Sequence, residues 1–384
     1  MTLAVLSDDQ RRARLGARHL LAAPAATVEE VADAVVGLHA SDPASVFLSA
    51  RARLAEPSVQ AVDDALYRDR SLVRLLCMRR TMFVVTAASA PVVTAAAARQ
   101  VAARERAGLL KYLAEGVGWD AARLAEVERA ALAALAARGE ATAVELGQDV
   151  PALLEQVVVS PGKPYETRQN VSGRVLRVLA AEGLMRRGRP RGTWLSSQFR
   201  WAPATPWPVL DEAAARAELV RRWLAAYGPG TEADLKWWTG WALGPVRRAL
   251  AEVGAQQVAL AGGTGYVLPG DVDVPEPAPW VALLPALDPT AMGWQARDWY
   301  LAPELRPALF DYSGNVGPTA WADGVVVGGW AQRADGEVVW KPLVDVGRET
   351  TAALDREAAR LTGWMAGTRV VSRFPAPLEK ELIR

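Results

Sequence analysis

A recurring order of local patterns limits the possible folds of this chain more than any single motif does. Three times, a helical stretch ends in a turn of small residues and is followed by a Thr-x-x-acid sequence. That sequence is a capping box, which opens a second and shorter helix. The boxes begin at Thr27, Thr142 and Thr231. One such box is common in proteins, but three in the same setting predict three structural units of one kind.

Each box is followed by a further helix and then by segments with strand character. We predict the third helices at residues 43–54, 166–182 and 244–253. The strand segments are MRRTMFVVT in the first copy, LMRRGRP and GTWLSSQFRW in the second, and QQVALAG and TGYVLPG in the third. Three helices followed by a two-stranded wing is the order of a winged helix-turn-helix, whose third helix enters the major groove of DNA.

From about Trp280 the chain changes to short apolar segments separated by turn residues. Two Asp-Gly pairs, beginning at Asp323 and Asp335, are hairpin signals. The strand-like segments are VALLPALD, RDWYLA, NVGPTAWA, GVVVGGWAQRA and GEVVWKPLV. They predict an antiparallel barrel or a curled sheet, followed by an amphipathic helix at 348–366 and a strand-like TRVVSRF. The Pro- and Asp-rich GDVDVPEPAPW before them predicts an exposed linker.

The predicted fold is therefore α+β, mainly α with β, with three tandem winged helix-turn-helix units and a C-terminal antiparallel β-barrel-like domain. The first unit, with an adjoining helix, is predicted at residues 1–115. The second, with a basic wing, is predicted at 116–206 and the third at 207–270. The C-terminal β-rich domain with its helix is predicted at 278–384.

Basic residues are concentrated in one part of a chain whose net charge is only +1. Residues 161–200 contain nine basic and two acidic residues. A neutral protein with one strongly basic face is arranged to meet a polyanion there, so we expect double-stranded DNA as the partner. The wing arginines are expected to lack acidic partners of their own. The candidate DNA-binding residues are Arg79, Arg80, Arg168, Arg174, Arg177, Arg186, Arg187, Arg189 and Arg191.

The scarcity of cysteine and histidine excludes several classes of site. The single Cys77 excludes an internal disulfide and a cysteine-cluster metal site, and two histidines exclude a histidine-rich one. No nucleotide-binding or zinc signature occurs, so no cofactor and no metal are expected. No apolar run reaches the roughly 18 residues needed to span a bilayer, and the N-terminus lacks a signal-peptide pattern. We expect a cytoplasmic, nucleoid-associated monomer.

Several longer strings occur in a characteristic order along nearly the whole chain. They are GLHASDP followed by ASVFLSARAR, then MRRTMFVV, AAYGPGTEADLKWWTGW, LLPALDP with a downstream RDWYL, and DGVVVGGW. Together they resemble the AlkZ-like and YcaQ family of winged-helix DNA glycosylases. The resemblance implies removal of bulky or N7-alkylated purines, including crosslinked ones, by a protein whose three winged helices form a concave surface for the duplex.

The resemblance also indicates where chemistry would take place. Members of that family carry Gln-x-Gln or Gln-x-Asp at the place where this sequence has His39-Ala40-Ser41, a departure at both positions. Hydrolysis of an N-glycosidic bond passes through an oxocarbenium-like sugar and needs a positioned water with negative or dipolar groups nearby. His39, with an ordinary pKa near 6.5, is the candidate to accept the proton, and Ser41 the candidate to hold the water. Asp42 is the third candidate catalytic residue.

Structural interpretations of the same residues remain open. Asp42-Pro43 has the form of a helix N-cap followed by proline at the first helical position, and Ser41 fits the same turn. His39 lies near the predicted end of a helix, where its side chain could interact with the negative end of the helix dipole. His19 is interpreted as a surface or groove residue. Asp288 either orients a water or belongs to a turn.

Two functions are consistent with these patterns. The first is a monofunctional DNA glycosylase acting on alkylated purines, with water positioned by His39 and Ser41. The second is a non-catalytic DNA-binding protein, a lesion sensor or regulator, that lost the family's glutamines.

Overall fold

The computed structural model describes residues 3–273, 277–373 and 375–384. All three predicted capping boxes are present in it. In each, the threonine hydroxyl accepts a hydrogen bond from the backbone N–H three residues later, at 3.2 Å for Thr27, 3.2 Å for Thr142 and 3.1 Å for Thr231. These bonds satisfy N–H groups that a helix start leaves without partners, which is why the short second helices begin there.

The first third of the chain forms helices around a small sheet. Strand β2 (Leu38–His39) pairs with β4 (Met82–Thr86), and β4 pairs with β3 (Leu72–Leu76), all antiparallel. The predicted strand MRRTMFVVT is only partly extended, because Met78–Arg80 is a turn between two strands. The elements are β1 (Ala4–Val5), α1 (Asp8–Arg18), α2 (Val28–Ala34), β2 (Leu38–His39), α3 (Pro43–Arg51), α4 (Val59–Asp63), β3 (Leu72–Leu76), β4 (Met82–Thr86), α5 (Ala90–Val93) and α6 (Arg99–Val117).

The second part of the chain folds around an apolar core of its own. The helix predicted from residue 166 begins only at Ser172, because residues 156–170 form a hairpin in which Gln156 faces Asn170. The two segments predicted as a basic wing pair in a second hairpin, but in GTWLSSQFRW only residues 199–201 are extended, so the loop between the strands is longer than predicted. The elements are α7 (Ala121–Arg138), α8 (Ala143–Asp149), β5 (Gln156–Val159), β6 (Thr167–Asn170), α9 (Ser172–Ala181), β7 (Met185–Pro190) and β8 (Phe199–Pro203).

The third part follows the predicted order of three helices and a hairpin. Its elements are α10 (Glu212–Tyr227), α11 (Glu232–Thr239), α12 (Leu243–Glu252), β9 (Gln256–Leu260) and β10 (Gly263–Val267). Strand β1, from the start of the chain, adds to this hairpin in parallel beside β9. The first and third parts are therefore joined by backbone hydrogen bonds.

The C-terminal part is an open sheet covered by a helix. The strands lie in the order β11 (Val281–Leu284), β12 (Thr319–Ala322), β13 (Val325–Gln332) and β14 (Val338–Pro342). The edge strands β11 and β14 do not pair with each other, so the described residues contain no closed barrel and the barrel prediction is wrong for them. The Asp323-Gly324 hairpin is confirmed, with φ of 46° and 84° at its two turn residues. The elements are β11 (Val281–Leu284), α13 (Arg306–Leu309), β12 (Thr319–Ala322), β13 (Val325–Gln332), β14 (Val338–Pro342), α14 (Gly347–Met365) and α15 (Pro377–Leu382).

Two C-terminal strand predictions are wrong. RDWYLA is a turn, because the Arg297 carbonyl accepts hydrogen bonds from the N–H groups of Tyr300 and Leu301. The described residues of TRVVSRF are not a strand, since the Val370 N–H donates to the Gln332 side chain instead of to a neighbouring strand; Phe374 lies outside the described residues. Most described residues of the predicted linker are exposed, as expected, although Asp271 forms ion pairs with Arg14 and Arg18; residues 274–276 lie outside the described residues.

Most tryptophans of the third part lie in the largest apolar core of the described residues. Trp223, Trp238 and Trp241 are buried there together with side chains of the first part and of the C-terminal part. Trp237 is only partly buried. In the described part of the chain, no helix combines the length and apolarity needed to cross a membrane.

A fully buried ion pair connects the first part to the C-terminal part. The Arg53 guanidinium donates to both oxygens of Asp288, at 2.9 and 2.7 Å, and both side chains are 0% exposed. The Ser49 hydroxyl, on α3, donates to the same carboxylate at 2.6 Å. Burial raises the pKa of Asp288, but the Arg53 charge and the hydrogen bonds from Arg53, Ser49 and the Thr290 N–H together outweigh it and leave that pKa below its ordinary value.

His19 belongs to this buried network, so its interpretation as a surface or groove residue was wrong. Its ring nitrogens lie 2.8 Å from the Thr290 hydroxyl and 3.1 Å from the Ala226 carbonyl oxygen, and the side chain is 0% exposed. Asp288 is likewise not a water-binding residue, because Arg53, Ser49 and the Thr290 N–H occupy its oxygens.

Removing one partner of the Arg53–Asp288 pair leaves a buried charge without compensation. We expect Arg53→Met to lower the free energy of unfolding by about 3–5 kcal/mol, measured by chemical denaturation of the transition that includes the first part. The double variant Arg53→Met/Asp288→Leu should recover most of that loss. Arg333→Gln, which breaks a pair exposed at 50% and 57%, is the control and should cost no more than about 0.5 kcal/mol. Equal losses of unfolding free energy for Arg53→Met and Arg333→Gln would contradict a stabilising role of the buried pair.

Candidate active site

A cavity of about 540 Å³ opens where three distant parts of the chain meet. The loop of residues 40–43 and the side chain of Arg74, on β3, form one wall. Residues 187–199, from the wing of the second part, form another, and Val371 and Arg373 close it from the C-terminal part. The cavity therefore contains two of the three predicted catalytic residues, Ser41 and Asp42.

Asp42 has a structural role and also lines the cavity. Its carboxylate accepts a hydrogen bond from the Ala44 N–H at 3.0 Å, which caps α3, and Pro43 is the first residue of that helix. The second oxygen accepts from the Arg373 N–H at 3.3 Å. The predicted N-cap is thus confirmed. Ser41, one residue earlier, is exposed at the cavity wall.

His39 is placed differently from its two neighbours. It lies on β2 opposite Phe83, is 5% exposed, and packs against the Phe83 ring with the ring centroids 5.5 Å apart. Burial, and then the positive charge of Arg79, lower the pKa of His39 to about 3. The imidazole is therefore neutral at physiological pH, and the ordinary pKa near 6.5 expected from the sequence does not apply. Its Nδ1 is buried without a hydrogen-bond partner.

Positive side chains outnumber negative ones among the described residues that line the cavity. Arg74 and Arg187 line it, and among the described lining residues Asp42 is the only acid. The Arg187 guanidinium lies over the Phe199 ring, 4.2 Å from its centroid. Burial, and then the charge of Arg74, lower the pKa of Arg187 to about 10. The Arg74 guanidinium donates to the Tyr67 hydroxyl at 2.6 Å. The described lining of the cavity therefore contains one carboxylate and three arginines, Arg74, Arg187 and Arg373.

A second carboxylate lies close behind Asp42. A space of about 20 Å³, the size of one water, is lined by Asp42, Ser45, Gln332 and Glu379. The Glu379 side chain is 5% exposed and accepts from the Ser372 N–H at 3.2 Å. Burial raises the pKa of Glu379. No sequence pattern in the short C-terminal helix α15 predicted Glu379 as a site residue.

Arg79 and Arg80 form a tight turn between β3 and β4. Both have a positive φ, 53° and 59°, a conformation that residues other than glycine rarely adopt. The Arg79 guanidinium lies over the Trp237 ring at 3.8 Å, and burial followed by the Arg297 charge lowers the pKa of Arg79 to about 10. Arg80 is exposed and forms an ion pair with Glu105.

The structure gathers part of the predicted basic surface around one groove. Arg80, Arg174 and Arg177 line a space of about 320 Å³ together with Arg104, which the sequence analysis missed. Arg104 lies on a long helix without any local motif, so only its position in the fold reveals it. Arg174 stacks on the Tyr112 ring at 3.8 Å.

The remaining predicted DNA-binding residues lie on hairpins of the second part. Arg168 and Arg191 are exposed, whereas Arg186 is partly buried with its Nε lacking a hydrogen-bond partner. Arg189 forms an ion pair with Asp63 at 2.6 Å, so the expectation that the wing arginines have no acidic partners was wrong for this residue. Asp63 belongs to the first part, and no local pattern predicts that pairing.

A family model described as DNA glycosylase AlkZ-like matches residues 32–364. The chain belongs to the AlkZ-like DNA glycosylase family. The match includes the loop of residues 40–43, the cavity walls on the wing of the second part, and the four-stranded C-terminal sheet. The resemblance that was inferred from motifs is thereby confirmed.

Two comparisons place this AlkZ-like chain among characterised proteins. An interstrand DNA cross-link repair glycosylase of Streptomyces sahachiroi is 31% identical over 217 residues, which are 53% of this chain and 56% of that protein. The match thus spans little more than half of that relative. The solved structure of Streptomyces sahachiroi DNA glycosylase AlkZ aligns with a TM-score of 0.71 at 23% identity, covering 97% of this chain and 99% of that one, and shows the same fold.

The two histidines of this AlkZ-like chain offer a direct test of the site's electrostatics. Because burial lowers the pKa of both His19 and His39 to about 3, their ring proton chemical shifts should stay constant from about pH 8 to about pH 5. The unfolded chain in urea is the control and should titrate near about 6.5. Since only the unfolded chain takes up these protons, the folded protein should lose stability as pH falls below about 6.5. An imidazole that titrates near neutral pH in the folded protein would contradict its burial.

Proposed function

We propose that this chain is a monofunctional DNA glycosylase that hydrolyses the N-glycosidic bond of alkylated purines, N7-substituted or bulky, in double-stranded DNA. The observation that carries the proposal is the cavity at the family's motif position, whose described lining contains the Asp42 carboxylate, the neighbouring Ser41 and three arginines. That combination suits a reaction in which a cationic sugar forms next to DNA phosphates.

The reaction makes few demands on a general acid. An alkylated N7 gives the purine a positive charge, so when the C1′–N9 bond breaks, its electron pair moves into the base and neutralises it. The sugar left behind is cationic. The Asp42 carboxylate stabilises that charge, and preorganised groups of this kind contribute most where charge develops. Water then forms the new bond to C1′, and its proton passes to Asp42 and on to solvent.

We assign the positioning of this water to Ser41 and Asp42. The sequence pattern suggested His39 and Ser41, but an imidazole with a pKa of about 3 is a poor proton acceptor and does not belong to the described cavity lining. His39 is a positioning residue in this proposal. Its strand pairing with Phe83 fixes the start of the loop that presents Ser41.

Duplex binding follows from the arrangement of the basic side chains. We propose that the three helix–helix–helix–hairpin parts are winged helix-turn-helix units and together receive the DNA. Exposed arginines of the second part, such as Arg168, Arg177 and Arg191, would neutralise phosphates, and Arg74 and Arg187 would do so next to the cavity. The ion pairs of Arg80 and Arg189 with acids make these two weaker candidates.

A second candidate function is favoured by the motif itself. His39 is buried and neutral where the family carries glutamine, which also fits a lesion sensor or regulator that binds DNA without chemistry. Such a protein would bind DNA with a steep dependence on salt and release no base.

Asp42→Asn tests the catalytic proposal because asparagine also caps helices well, so the variant removes the charge and keeps the structure. On duplex DNA carrying N7-methylguanine, we expect single-turnover formation of abasic sites to slow roughly 100-fold. Ser41→Ala should slow it less, and Asp345→Asn, at an exposed carboxylate, should have no effect.

The same assay separates the two candidate functions. Salt-sensitive binding by the wild-type protein, with no abasic sites formed from N7-methylguanine or a bulkier N7 adduct, would refute the glycosylase proposal and favour the sensor. Full activity of Asp42→Asn would refute the assignment of Asp42.

A further inference from the structure

A second cavity, of about 590 Å³, lies between strand β3 of the first part and the second part of the chain. Arg74 and Arg187 line both this cavity and the candidate active site, so these two side chains separate the two spaces. The function proposed above does not use the second cavity.

The walls of this cavity are mainly apolar. Leu72 and Leu75 contribute from β3, Met185 from β7, and Trp207 from the proline-rich segment that leads to the third part. Its volume falls within the range of about 300–1,000 Å³ that is typical of small-molecule sites. A largely apolar space of this size suits a ring system better than it suits a strand of nucleic acid or a protein surface.

All of the charged residues that line the cavity are arginines. Arg70, Arg74, Arg186 and Arg187 are present, and no acid occurs among the described lining residues. Burial, and then the charge of Arg70, lower the pKa of Arg186, while the one carboxylate that opposes this, Glu140, is not part of the lining. The Arg186 Nε is buried without a hydrogen-bond partner. Arg74, Arg186 and Arg187 are partly buried, and Arg70 is exposed at the edge of the cavity. Partly buried cations of like charge are costly unless an anion joins them.

We propose that this cavity binds a small amphipathic organic anion, an aromatic ring system that carries one carboxylate or sulfonate. The rings would pack against Leu75 and Trp207, which are both partly exposed, and the acidic group would lie between Arg70 and Arg186. A free nucleotide fits less well, because its phosphate is strongly hydrated and its base edge needs polar partners that the apolar walls do not supply. The inference goes beyond the glycosylase proposal and does not depend on it.

The probe for this site is 8-anilino-1-naphthalenesulfonate, titrated into the full chain and followed by fluorescence and calorimetry. We expect one site of higher affinity than any other. Arg70→Gln/Arg186→Gln should weaken binding roughly tenfold or more, because two charge-assisted contacts are lost. Ala204→Trp, which fills the cavity from its wall, should abolish binding at this site. Arg168→Gln/Arg191→Gln, at exposed arginines outside the cavity, is the matched control and should bind as the wild type does.

Two further ligands separate this proposal from its alternatives. Naphthalene carrying a trimethylammonium group keeps the rings and reverses the charge, so it should not bind; equal binding would show that the arginines are not used and would overturn the proposal. Tighter binding of dGMP than of the naphthalenesulfonate would assign the cavity to nucleotides and would also overturn it. Unfolding curves of Arg70→Gln/Arg186→Gln and Ala204→Trp would establish that both variants are folded. Unchanged binding of the naphthalenesulfonate by both folded variants would refute the site.

Discussion

The buried pair of Arg53 and Asp288 is the interaction on which the rest of the structure depends. Helix α3 is capped by Asp42, in the candidate active site, and contains Ser49, and Arg53 follows two residues after the helix ends. Because Ser49 and Arg53 both bind the Asp288 carboxylate, that helix is held against the C-terminal part at a fixed position. The loop that presents Ser41 and Asp42 is therefore placed by a contact at the far end of its helix.

The distribution of charge follows from the same arrangement. Fixing α3 brings one carboxylate, Asp42, to a cavity whose other charged residues in the described lining are Arg74, Arg187 and Arg373. Burial and the charges of neighbouring arginines lower the pKa values of Arg186 and Arg187. Anions on either side of Arg74 and Arg187 would lower the electrostatic repulsion between these arginines. In the two proposals above, the anion is a DNA phosphate in the candidate active site and a small organic acid in the second cavity.

The features that depend on neighbouring residues could be predicted from the sequence. Capping boxes, the Asp323-Gly324 hairpin and the Asp42-Pro43 helix start each depend on residues within a few positions, and the structure contains all of them. The features that depend on distant residues could not. The burial of His19 against Thr290 and the pairing of Arg189 with Asp63 join residues far apart in the sequence, and the lowered pKa of His39 follows from packing alone.

The central claim is that the Asp42 carboxylate stabilises a cationic sugar. Duplex DNA carrying a cationic azasugar in place of the nucleoside tests it most directly, compared with DNA carrying a neutral tetrahydrofuran at the same position. The wild-type protein should bind the cationic duplex roughly 100-fold more tightly, and Asp42→Asn should lose that preference while it binds the neutral duplex unchanged. Equal affinity of the wild-type protein for the two duplexes would contradict the account.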